Sequence, residues 1–124
     1  MTTTPVVLVV EDDEWFAEQH VRTLVRAGYS ADYAPHALAA IEMVDAKRPD
    51  VLVLDVFLAG PNAFALMHEL QSHSDLASLP VILCTNATEA IPSEDVAVYG
   101  IKAVLDKATM LPEDLAAAVK KVLL

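Results

Sequence analysis

VLVLDVFLAG, residues 51–60, is the most apolar stretch of the chain, and it carries one carboxylate, Asp55, at its middle. Val51–Leu54 forms a continuous apolar run of the length and β-branched content expected of a strand buried on both faces. An unpaired carboxylate in such a setting costs several kcal/mol, so Asp55 needs a partner, a metal or a chemical task. The rest of the chain has to supply it.

Two further runs read in the same way, Val6–Val10 and Val81–Cys84, and two weaker ones, Ala31–Ala34 and Ala103–Leu105, complete a set of five strands. Helical stretches alternate with them. Phe16, Val21, Leu24 and Val25 make one apolar stripe, closed by Gly28 at the helix end. Ala37, Ala40, Ile41 and Val44 make a second, and a third helix is expected from Ala63 to Leu70. Pro92 interrupts the next segment, which reads as a loop over 86–92 and a short helix from an N-cap at Ser93 to Tyr99. The last helix runs from Pro112 to Val122, with Glu113 and Asp114 in its first turn and Lys120 and Lys121 in its last, all favourable to the helix dipole. Alternating strands and helices imply a parallel sheet covered on both faces, with right-handed crossovers and ligands at the carboxyl ends of the strands.

Composition narrows the partners. The 124 residues are enough for one domain with a substantial core, and 55% of them are hydrophobic. Eight basic against 18 acidic residues give a net charge of −10. Such a surface repels phosphate backbones and anionic membranes, so direct nucleic-acid binding is not expected. The opening MTTTPVVLVVEDD lacks a basic leader region, and no run approaches the ~18 apolar residues of a membrane span. One cysteine, Cys84, excludes an internal disulfide and suits a reducing cytoplasm.

Four strand ends carry polar residues of particular types: Glu11, Asp12 and Asp13 after the first, Asp55 on the third, Thr85 on the fourth and Lys107 after the fifth. For Glu11–Glu14 taken alone, a solvated acidic loop explains the sequence as well. Brought together, however, several carboxylates repel one another and demand a cation. A hard divalent ion with oxygen ligands, Mg2+ above all, meets that demand and keeps water positions open for a phosphate.

The segments VLVVEDDE, RPDVLVLDVFLAG, LPVILCTN and GIKAVLDK, in that order, resemble the receiver domain of two-component response regulators over nearly the whole chain. The resemblance implies a flavodoxin-like (CheY-like) three-layer α/β sandwich, with a five-stranded parallel sheet of order 2-1-3-4-5 and five helices. It implies that Asp55 accepts a phosphoryl group from a phosphohistidine on a sensor histidine kinase or a histidine phosphotransfer protein. Glu11 and Asp12 match the acidic pair, Thr85 the switch hydroxyl and Lys107 the lysine that faces the phosphate. In that family's pattern Mg2+ is held by Asp12 and Asp55 directly, by Glu11 through water and by the main-chain carbonyl of Phe57. The resulting expectation is a cytoplasmic signalling protein, not a conventional enzyme, which acts through a downstream protein partner. Since Leu124 follows the last helix directly, the sequence reads as a stand-alone receiver over residues 1–124 with no output domain.

The chain also departs from that pattern. Ala108 stands where the family usually has a cis-proline, so the loop carrying Lys107 either keeps a cis bond or, the favoured reading, rearranges to trans. Val104 replaces the usual aromatic, Asn86 a small residue, and Ala59 and Ala63 a proline and a glycine; with Pro92, these predict atypical switching or partner choice with phosphorylation retained. Other residues read as structural. His20, His36, His68 and His73 have no ligand spacing, Trp15 and Phe16 read as packing beside the acidic loop, Asp13 and Glu14 as helix N-terminal acids, with contact to the metal shell through water a second option for Asp13, Cys84 as a small hydrophobe and Asp106 as solvated. A dinucleotide-binding domain is excluded because the three glycines, Gly28, Gly60 and Gly100, form no phosphate-binding turn. A dehalogenase-like phosphatase would need a second aspartate where Phe57 stands. The remaining alternative is a pseudo-receiver, an interaction module of the same fold that is never phosphorylated.

Overall fold

The computed structural model describes residues 4–55, 67–69, 72, 78–85 and 100–124, with Asp55 described by its backbone. Its elements follow in the order β1 (Val6–Val10), α1 (Glu14–Arg26), β2 (Ser30–Ala34), α2 (Ala37–Ala46), β3 (Val51–Asp55), β4 (Val81–Thr85), β5 (Ile101–Asp106) and α3 (Pro112–Leu123). A helical turn at 67–69 falls within the third helix expected from sequence. The rest of that helix, the loop at 86–92, the helix at 93–99 and the variant positions Ala59, Ala63, Asn86 and Pro92 lie outside the described residues.

The strands form one parallel sheet in the order β2-β1-β3-β4-β5. The direction in which strands are added to the sheet reverses between β1 and β3, which makes the middle of the sheet the switch point, where Val10 pairs with Leu54 and Asp55 with Cys84. The apolar runs are continuous because each strand feeds two cores. Leu8, Val10, Leu52, Leu54, Val81 and Leu83 face α2 and Met67, whereas Val7, Val9, Val51, Val53, Ile82 and Cys84 face Leu24 of α1 and Leu115 and Val119 of α3. With a period of two, alternate residues leave on opposite faces, and neither face meets water. Cys84 therefore packs as the small hydrophobe its context predicts.

Helix ends match the local sequence. Asp13 is the N-cap of α1, its Oδ1 accepting the N–H groups of Trp15 at 3.0 Å and Phe16 at 3.2 Å. At the other end Gly28, at φ +100°, donates to Val25 O at 3.0 Å and Tyr29 donates to Leu24 O at 3.0 Å, the paired bonds of a Schellman motif. His36 Nδ1 accepts the Ala39 N–H at 3.1 Å and so caps α2, which gives this histidine a structural task. Pro112 opens α3, and Asp114 reaches back to accept the Leu111 N–H at 2.8 Å.

Two readings of the sequence are corrected by the structure. Val25 is 53% exposed, and the buried face of α1 is carried by Ala17 and Leu24, because Val25 lies one position round the helix from Leu24. Strand β5 begins at Ile101, two residues earlier than its apolar pattern suggests, because a register irregularity between Val81 and Ile82 lets Lys102 enter the strand exposed. Trp15, 62% exposed, packs against Phe16 beside the acidic run, as its sequence context predicts.

Candidate functional site

All the strand ends singled out by the sequence lie along one edge of the sheet. Beyond Val10, the Glu11 N–H donates to Ala34 O at 3.0 Å, which prolongs the β1–β2 pairing by one residue and turns the Glu11 side chain under the surface. Its carboxylate is fully buried. Asp12 is exposed, and Asp13 has already turned to cap α1. Three consecutive acids thus take three different environments, because the chain passes from strand to helix within them.

The buried acid has a partner from the opposite end of the sequence. Lys107 Nζ donates to Glu11 Oε1 at 2.5 Å, with the lysine side chain 10% exposed and the glutamate 0%. Isolated, a buried carboxylate costs several kcal/mol, and the ion pair offsets much of that. The same ammonium lies 4.4 Å from the centroid of the Phe16 ring, a cation–π contact of about 0.5–2 kcal/mol. Trp15 packs edge-on against Phe16 at 5.0 Å and 83°, and His20, one turn on, lies 6.4 Å from it. A groove of about 210 Å³ between α1 and the start of α3, bordered by Phe16, His20, Lys107, Met110 and Leu111, reaches the lysine.

Lys107 is fixed by its backbone as well. Its N–H donates to Thr85 O at 2.9 Å, one step beyond the Thr85–Asp106 pairing, so the two residues are held side by side. The peptide bond to Ala108 is trans. Ala108 uses the N–H that proline would lack, donating it to Asp106 Oδ1 at 2.9 Å, while the Thr109 and Met110 N–H groups donate to Asp106 O at 3.2 and 2.8 Å. Asp106, expected to be merely solvated, instead closes the turn that launches Lys107.

The structure therefore brings together Glu11, Thr85 and Lys107, with Thr85 buried and Asp12 exposed beside them. The backbone of Asp55 ends β3 between β1 and β4, its Cα paired with that of Cys84, the neighbour of Thr85. The Asp55 side chain and Phe57 lie outside the described residues. Among the described residues no three His, Cys, Asp or Glu side chains form a metal-binding group; the expected Mg2+ site draws on Asp55 and Phe57 as well. The donor chemistry fits a hard cation, since Glu11 and Asp12 offer only oxygen donors at the end of β1 and the backbone of Asp55 ends the adjacent strand, one residue beyond the Val10–Leu54 pair. Phe16 and Asp106 are the residues that reading the sequence missed. An aromatic in the first turn after the acidic run, and an aspartate two residues before an available N–H, were the signals that could have found them.

Comparison with known proteins agrees with this geometry. Residues 7–120 match the family model described as the response regulator receiver domain. The chain is 33% identical over 116 residues to the transcriptional regulatory protein CseB of Streptomyces coelicolor, covering 94% of this chain and 47% of that protein. It is 35% identical over 79 residues to the response regulator MprA of Mycobacterium avium, covering 64% of this chain and 34% of MprA. The chain thus spans less than half the length of either relative. Among solved structures, the signal receiver domain of a signal transduction histidine kinase from Syntrophus aciditrophicus superposes with TM-score 0.79 at 28% identity, covering 97% of this chain and 90% of that one. The Vibrio cholerae chemotaxis protein CheY4 shares the fold with TM-score 0.87 at 23% identity, over 97% and 99% of the two chains. With the sheet order, the buried acid–lysine pair and the family match in agreement, the chain belongs to the response regulator receiver domain family.

Proposed function

We propose that this domain is the phosphoacceptor of a two-component system or phosphorelay, receiving a phosphoryl group on Asp55 from the phosphohistidine of a sensor histidine kinase or a histidine phosphotransfer protein. The observation that carries the proposal is the Glu11–Lys107 pair, which holds a cation in reserve at the strand edge where Asp55 and Thr85 end. In the transfer, a carboxylate oxygen of Asp55 attacks phosphorus, the P–O bond forms as the P–N bond to the donor imidazole breaks, and the imidazole leaves with the electron pair. Such a loose transition state asks mainly for positioning and charge stabilisation. Bound Mg2+ would supply charge neutralisation at the transferring group, held by Asp12 and Asp55, by Glu11 through water and by the Phe57 carbonyl.

The chain's own residues do the rest. Lys107 transfers its ammonium from Glu11 to the phosphoryl oxygens as a point charge, and the backbone bond from its N–H to Thr85 O keeps it near while it moves. The Thr85 hydroxyl donates to the same oxygens, and its displacement couples phosphorylation to the packing around β4 and β5. Output then passes through contact with a downstream protein. The domain turns over no separate substrate, so it is not a conventional enzyme.

Incubating the protein with Mg2+ and acetyl phosphate and measuring intact mass tests the proposal. One added phosphoryl group, lost in Asp55→Ala, is expected. No addition under conditions that label an ordinary receiver would identify a pseudo-receiver, and addition that survives Asp55→Ala would overturn the acceptor assignment.

A further inference from the structure

We infer that Phe16 is a positioning residue for Lys107, holding its ammonium against the ring face so that the lysine can leave Glu11 for the phosphoryl group without losing its place or its charge; the functional half of this inference rests on the phosphoacceptor reading. Among the described residues the lysine Nζ lies against groups of different kinds, Glu11 Oε1 at 2.5 Å and the Phe16 ring at 4.4 Å. The carboxylate neutralises the ammonium, and any anion that draws Lys107 away has to compete with it. The ring attracts the cation through its quadrupole and leaves the charge uncompensated. A second carboxylate in its place would fix the side chain and quench it at the same time.

The ring is itself held. Trp15 packs edge-on against it at 83°, His20 lies one helical turn further on, and the first turn of α1 is anchored by the Asp13 cap whose Oδ1 accepts the Phe16 N–H at 3.2 Å. The ring is thus a fixed surface over which a flexible four-carbon side chain moves. At the opposite end of that side chain the Lys107 N–H is bonded to Thr85 O, so both ends of the lysine are guided while its ammonium exchanges partners.

The test compares the wild-type chain with Phe16→Leu, Phe16→Tyr and a series carrying progressively fluorinated phenylalanine at position 16, which keeps the ring's shape and drains its negative face. Two quantities are read: the ring-current shift of the Lys107 ε-methylene protons, and the rate of phosphoryl incorporation from acetyl phosphate with saturating Mg2+. We expect the upfield shift to vanish in Phe16→Leu and persist in Phe16→Tyr. We expect labelling to slow about three- to tenfold in Phe16→Leu, to be retained in Phe16→Tyr and to fall in step with fluorination. A role confined to packing would leave the fluorinated series at the wild-type rate. Wild-type protein that labels while Phe16→Leu labels equally fast would overturn the positioning role alone. Wild-type protein that takes up no phosphoryl group would overturn the phosphoacceptor reading, and the positioning role with it.

Discussion

Glu11 and Lys107 stand 96 positions apart in sequence and meet at 2.5 Å, a fully buried carboxylate against an ammonium whose side chain is 10% exposed. The pair forms because β1 and β5 both end at the same edge of a parallel sheet, two strands having been laid down between them. Removing Lys107 leaves the buried Glu11 carboxylate without the ammonium that faces it. Lys107→Met is therefore expected to lower stability by about 3 kcal/mol in metal-free buffer, seen as a fall in urea midpoint with unchanged slope. The double variant Lys107→Met with Glu11→Gln should recover much of that loss, because the uncompensated charge has gone. A single and a double variant of equal stability would show that the charge left on Glu11 is not the source of the loss.

The turn after β5 carries a second expectation. Ala108 donates to Asp106 Oδ1 at 2.9 Å, a bond that depends on the residue after Lys107 having an N–H. Asp106→Ala should cost about 1 kcal/mol, the usual net worth of one such hydrogen bond. In an Ala108→Pro background, where the donor is missing, the same substitution should cost distinctly less, giving a coupling energy close to that of the bond itself. Thermal or urea unfolding of the four proteins completes the cycle; additive effects would show that Asp106 acts on the turn in some other way.

Why some of this was legible in the sequence follows from the range of the interactions involved. Val6–Val10 could be delimited to the residue because a strand covered on both faces has no polar positions to blur its ends. The caps at Asp13 and Gly28 are local, governed by which side chain can reach an N–H three residues on or adopt a positive φ. The sheet order and the identity of Glu11, Thr85 and Lys107 as site residues came from four motifs in order, and the structure bears out the order and brings these three together. Periodicity placed Val25 on the buried face, where one position of helical phase separates it from Leu24 and exposes it. The contact of Phe16 with Lys107 was not legible, since it depends on the spacing between α1 and the start of α3, which no short stretch of sequence encodes. The role of Asp106 was hidden for a simpler reason: next to a lysine of evident importance, it reads as an ordinary surface acid.

Two adjacent acids should show opposite phenotypes. Asp13 is committed to the helix, its Oδ1 taking two backbone N–H groups of the first turn, whereas Asp12 is exposed at the strand end beside Glu11. Asp13→Ala is expected to cost about 1 kcal/mol of stability, the typical worth of an N-cap, while changing Mg2+ affinity by less than about twofold. Asp12→Ala should instead leave the unfolding midpoint of the metal-free protein unchanged or raise it, by relieving repulsion among neighbouring carboxylates. It should weaken Mg2+ binding by about tenfold or more, since loss of a direct ligand costs at least what loss of a supporting group does. Trp15, the chain's single tryptophan, is 62% exposed and sits two residues from Asp13, so its emission provides a titration signal next to the site. Calorimetric titration with Mg2+ supplies the affinity independently of the optical change. Equal Mg2+ affinities for Asp12→Ala and the wild type would remove Asp12 from the metal site, and would leave the acidic run after β1 serving only to cap α1 and to pair with Lys107.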